Sequence, residues 1–172
     1  MSNSITVAYR PAMKNKRVES TVTREVNASP GTIFPLACPV EELRWIPEWD
    51  YQLIFSKSGV NEANCIFNED KTGLHFFEKQ LITTWVTTVY DPENYRISFL
   101  LNLAGKAVIS LDVNFTEVGR QVSRCTWHMV FTALDEEANA IPDDTARLKL
   151  ELALTFLADA LKHYCETGEM IN

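Results

Sequence analysis

Three histidines, His75, His128 and His163, are the first residues to test for chemistry, and none stands at metal-ligand spacing from another. No Cys-x-x-Cys pair accompanies them, so no metal is expected. No phosphate-cradling glycine loop and no Gly-x-Ser-x-Gly elbow is present, so known catalytic signatures are absent. Nucleophilic catalysis needs a Ser or Cys beside a base. Cys125 and His128 fall on opposite faces of one predicted strand, and His163 and Cys165 lie two apart on a predicted helix, so neither pair meets. Catalytic residues are therefore not identified. Glu62, Tyr90 and His128 remain as single acid–base groups, each useful only if it points into a pocket.

The aromatic trio Trp45, Trp49 and Tyr51 surrounds Pro47, which prevents one helix from carrying all three. The rings either brace the chain as it turns from helix into sheet or line the mouth of a pocket. In the second case Arg44 or Glu42 would meet a polar ligand head; in the first, Arg44 would pair with Asp50 or Glu62. Trp85 and Trp127 fall on central predicted strands, where an indole serves equally as a pocket wall or as core filling.

The net charge of −7 argues against a nucleic-acid partner, which needs clustered Lys and Arg. The densest basic stretch, Lys14-Asn15-Lys16-Arg17, reads as a solvated lead-in. No apolar run approaches the roughly 18 residues of a membrane span, and no signal core opens the chain. Cys38, Cys65, Cys125 and Cys165 are widely spaced and read as reduced thiols, so a cytoplasmic location is expected. With 172 residues, a real core is affordable: residues 1–15 read as a flexible leader and 16–172 as one domain.

These residues must be positioned by strands and one long helix. Val18, Thr21, Val22, Thr23 and Val26 predict a first strand over Arg17 to Val26. Ser29 and Pro30 then signal a short helix, which Pro35 and Pro39 interrupt, and a second short helix is predicted over Val40 to Trp45. Further strands are predicted over 51–57, 64–68, 81–90, 96–103, 107–118 and 121–134, joined by short turns that favour antiparallel pairing. Period-two alternation puts Ile97, Phe99, Leu101 and Leu103 on one face. It does the same for Ile109, Leu111, Val113 and Phe115, and for Cys125, Trp127, Met129 and Phe131. A helix capped by Asp143 or Asp144 and ending before Gly168 carries the stripe Ala146, Leu150, Ala153, Leu154, Leu157, Leu161 and Tyr164 that would cover this face. Leu148 and Leu152 fall opposite, either as simple exposed leucines or as a contact between two copies of the chain, a homodimer.

The order of strand, two short helices, six strands and long helix resembles the helix-grip fold of the START and polyketide-cyclase-like superfamily (SRPBCC). Val26-Asn27-Ala28-Ser29-Pro30-Gly31-Thr32-Ile33-Phe34 resembles its passage from first strand to first helix. The run from Cys38 to Asp50, that from Ser56 to Phe67, Thr84 to Pro92, Thr126-Trp127 and Phe131 to Leu134 are similar to an uncharacterised bacterial subgroup. The likeness covers about residues 17–166. It implies an α+β fold in which a curved seven-stranded antiparallel sheet wraps a C-terminal helix over a cavity, with no cofactor and no metal. Relatives use that cavity to carry lipids or to cyclise polyketides, so fold alone does not choose.

The expected ligand is a small hydrophobic or amphipathic molecule, lipid-like or aromatic, held by Trp85, Phe99, Leu111, Trp127, Met129, Leu154 and Leu157. Arg44, Trp45, Trp49, Tyr51, Glu62, Phe76 and Phe77 are candidates for the mouth. The stretch Asn68 to Gln80, with Leu74, Phe76 and Phe77, is either a lid or an extended hairpin. Few inward positions are acidic, which weighs against an enzyme; a cyclase or aromatase is the alternative. A third reading is a protein-interaction module of the chaperone-activator type, whose trace would be Leu148 and Leu152.

Overall fold

Alternation in the first strand is realised residue by residue: Val18, Val22 and Val26 are buried while Arg17, Glu19, Thr21 and Thr23 face out. The computed structural model describes residues 14–70, 75–79 and 81–171. Of the expected leader, residues 1–13 lie outside the described residues. In chain order the elements are β1 (Arg17–Val26), α1 (Pro30–Ile33), α2 (Pro39–Glu42), β2 (Tyr51–Phe55), β3 (Ile66–Glu69) and β4 (Thr83–Asp91). They continue with β5 (Arg96–Leu103), β6 (Ala107–Gly119), β7 (Val122–Ala133), α3 (Glu136–Ala140) and α4 (Asp143–Thr167).

The strands form one antiparallel sheet in the order β1-β7-β6-β5-β4-β3-β2. Sequential hairpins account for β2 through β7, and β1 closes onto β7 with Val22 opposite Trp127. Register shifts in β2, in the β4–β5 pair and at the end of β6 mark bulges, which bend strands locally. The predicted inward sets of β5, β6 and β7 are all buried.

Helix α4 covers this face and packs chiefly on β1 and then β7. Leu150, Leu154 and Leu161 are fully buried, each contributing about 1.5–3 kcal/mol relative to exposure. Gly168 ends the helix at φ 76°, a conformation that suits glycine, and its N–H donates to the Tyr164 carbonyl at 2.8 Å. The expected cap by Asp143 or Asp144 is corrected: Pro142 holds that position without a side-chain bond. Both aspartates instead lie in the first turn, where the helix dipole favours them.

Ser29 caps α1 as expected, accepting from the Thr32 N–H at 3.3 Å. The predicted helix over Val40 to Trp45 is shorter, ending at Glu42, but turns bonded from Arg44 and Trp45 back to Glu41 and Glu42 prolong it. Helix α3 went unpredicted because five residues show no apolar period. Its signal is Asp135, which accepts from the Ala138 N–H at 2.8 Å, followed by Glu136 and Glu137.

Candidate ligand-binding cavity

Because α4 leans toward β1 and β7, the middle of the sheet is left partly uncovered, and a cavity of about 380 Å³ lies there. Strands β4 to β7 supply Trp85, Phe99, Leu111, Val113, Trp127 and Met129 as its floor. Helix α4 supplies Leu152, Ala153, Phe156 and Leu157 as its roof. The third wall is the end of α2 and the loop after it, with Glu42, Ile46, Pro47, Glu48 and Trp49. Glu48, Leu152 and Phe156 are exposed, so the opening lies between this loop and the middle of α4.

Six of the seven residues predicted for the cavity line it: Trp85, Phe99, Leu111, Trp127, Met129 and Leu157. Leu154 does not; it is fully buried where α4 meets the sheet. Of the predicted mouth only Trp49 is in the lining. Trp45 is fully buried and donates its indole N–H to the Leu36 carbonyl at 3.0 Å, so it braces the loop. Tyr51 stands behind Trp49, the ring centroids 6.3 Å apart. Arg44 pairs with Glu41 at 2.7 Å, not with Asp50 or Glu62, and its guanidinium lies 5.3 Å from the centroid of the Tyr164 ring.

Glu62 accepts from the backbone of Lys57 and Ser58 and so closes the 56–62 turn, away from the cavity. His128 is on the outer face, bonded to Thr21 Oγ1 at 2.8 Å, and Tyr90 packs on Phe34. None of the three single acid–base candidates reaches the cavity. Phe76 stacks on Phe131 at 4.7 Å and Phe77 lies beneath the Lys106 ammonium. Neither lines the cavity, and residues 75–79 form neither strand nor helix. Leu74 lies outside the described residues. Leu152 belongs to the cavity opening, whereas Leu148 is exposed and outside it.

Of the two acids raised in the cavity, sequence reasoning named Glu42, as a partner for a polar ligand head, and missed Glu69. Glu69 follows Phe67 with period two and so shares its inward face, but the strand was expected to stop one residue earlier. It is 4% exposed, and its Oε2 accepts from Trp85 Nε1 at 2.9 Å. Burial pushes its carboxyl up to about 7, against the Trp85 bond, which favours the charged form. Glu42, half-buried at the end of α2, is pushed up to about 8, first by burial and then by repulsion from Glu69. Tyr51 is also raised, mainly by burial and then by neighbouring acids that include Glu42. Two proton-carrying carboxyls thus sit in an apolar cavity, an arrangement able to donate or accept a proton near neutral pH.

The indoles divide on the same geometry. Trp45, Trp49 and Trp85 each donate to a protein oxygen, Trp49 to the Pro39 carbonyl at 2.8 Å. Trp127 is 3% exposed, lines the cavity, and has no partner for its Nε1–H. A buried unpaired donor costs about 1–3 kcal/mol.

No family model matches the chain, and no curated protein matches it in sequence. Solved structures do match in shape. Norcoclaurine synthase from Thalictrum flavum, in complex with dopamine and hydroxybenzaldehyde, aligns with TM-score 0.64 at 13% identity over 94% of this chain and 95% of its own. Ara h 8.0201 aligns with TM-score 0.66 at 11% identity over 88% of this chain and 99% of its own. The Zhui aromatase/cyclase from Streptomyces sp. R1128 aligns with TM-score 0.61 at 14% identity over 88% and 94%. At these identities the likeness establishes architecture, not activity. With its seven-stranded antiparallel sheet, two short helices after β1 and long final helix, the chain has the helix-grip fold.

Proposed function

We propose that the chain binds a small, mostly apolar molecule in the cavity between α4 and the sheet. The observation that carries this reading is the chamber of about 380 Å³ walled by Trp85, Phe99, Trp127 and Leu157, within the range of small-molecule sites. That norcoclaurine synthase holds two aromatic compounds on the same architecture supports it. Native mass spectrometry of the purified protein, before and after denaturation, tests it: a releasable small molecule is expected, and Leu157→Trp, which fills the chamber, should abolish it. Retention of the same molecule by Leu157→Trp would overturn the assignment to this cavity.

A second reading, an enzyme of the aromatase or cyclase kind, is favoured by one observation. Glu42 and Glu69 line the cavity with carboxyls raised to about 8 and about 7, so near neutral pH protonated Glu42 could protonate a bound carbonyl while Glu69, in its ionised fraction, removes a proton. Such an enzyme would lose turnover in Glu69→Gln while retaining binding. Equal turnover in the variant would remove Glu69 from the chemistry.

A further inference from the structure

The charge in the cavity is one-sided. Among the described residues its lining holds three carboxyl groups, Glu42, Glu48 and Glu69, and no Lys, Arg or His. Strands β4 to β7 and helix α4 add only apolar side chains to that lining, so nothing across the cavity compensates the acids. Behind the lining stand Tyr51 and Cys65, which are themselves acids. Glu69 has one identified partner, the neutral Trp85 indole. No group of three His, Cys, Asp or Glu among the described residues is placed to hold a metal ion. The walls are the kind that favour an organic cation: Trp49, Trp85, Trp127, Phe99 and Phe156 present ring surfaces to the same space.

Taken together, and resting on the reading of the cavity as a ligand site, we propose that its ligand is an aryl-alkyl amine. Its ammonium is held by Glu42 and Glu69, and its ring by the aromatic walls. Without a cation both carboxyls hold their protons to unusually high pH, because burial disfavours the charged forms and, at Glu42, repulsion from Glu69 adds to it. A bound ammonium removes that penalty. This is why a cation is selected over a neutral molecule of the same shape.

The test is a matched series on the unmodified chain, measured by titration calorimetry at pH 8: para-methoxyphenethylamine, the corresponding alcohol and the corresponding carboxylic acid. The amine is expected to bind at least about tenfold more tightly than the alcohol, a charge-assisted bond being the difference, and the acid most weakly. An alcohol or acid that binds as tightly as the amine overturns the cation while leaving the cavity a ligand site. Failure of all three at millimolar concentration overturns both. In the double variant Glu42→Gln with Glu69→Gln, checked for folding by its aromatic circular dichroism, the preference for amine over alcohol is expected to vanish. A preference that persists there overturns the assignment to these two carboxylates.

Discussion

Replacing Glu69 by Gln should stabilise the protein at alkaline pH and leave it nearly unchanged at acid pH. The folded carboxyl is pushed from the ordinary value of 4.5 up to about 7 by burial. Between these two values the native state holds a proton that the unfolded chain has released, so native stability falls as pH rises through this window. The shift corresponds to about 3 kcal/mol, at about 1.4 kcal/mol per unit, fully present as a penalty above pH 7 and absent below 4.5. Gln keeps the shape and an oxygen for the Trp85 indole, which donates to Glu69 at 2.9 Å, but never takes a charge. Glu42 reinforces the effect, because repulsion from Glu69 is the second cause of its own raised value. Urea denaturation of both proteins at pH 5, 6, 7 and 8 gives the comparison. The variant should gain about 3 kcal/mol over the parent at pH 8, or roughly 6–12 °C in melting temperature for a chain of this size, and converge on it toward pH 5. Two stability curves that run parallel across this range would refute the reasoning, since they would mean that the buried carboxyl carries its charge at no cost.

Leu154→Ala should cost about 2–5 kcal/mol in urea denaturation, because the side chain is fully buried between α4 and the sheet, and a loss under 1 kcal/mol would contradict that packing. Gly168→Ala, at φ 76° with open space around it, should cost about 1 kcal/mol through backbone strain alone; no change in melting would show that the helix ends elsewhere. Ser29→Ala should lose about 0.5–2 kcal/mol by removing the oxygen that accepts from Thr32, measured the same way.

Where one face of a strand is buried, period two is strict, and this made much of the fold legible. Ile109, Leu111, Val113 and Phe115 could not be split between faces without exposing apolar surface, so β6 was readable before its partners were known. The same constraint identified Phe99, Leu111, Val113, Trp127 and Met129 as inward, and these with Trp85, whose face the pattern left open, make the cavity floor. Short elements were less legible. Helix α3 and the shortened α2 are decided by caps and prolines, not by an apolar stripe. One acid of the site escaped for a related reason: Glu69 is the last residue of a four-residue strand, too short a pattern to assign it a side. Glu42 was legible only through its place beside the aromatic trio, since it ends a four-residue helix.

Why the space beneath α4 is not simply filled has a sequence cause. Along the helix, Leu150, Leu154 and Leu161 reach the core over β1 and β7, while the positions that line the cavity between them, Leu152, Ala153, Phe156 and Leu157, include the small Ala153. The segment before α2 adds Ala37 to the lining, another small side chain. Larger residues at these two places would close the gap by contact and recover the dispersion energy that a void forfeits. Large side chains do border the gap, but as flat rings: Trp49, Trp85 and Trp127 wall it without crossing it. A chain under selection for packing alone would have no use for a buried glutamate beside such a void, since a well-packed apolar residue there avoids the desolvation that raises Glu69. The small residues that keep the chamber open and the acids that line it therefore point the same way, toward a molecule that supplies both the missing volume and the missing charge.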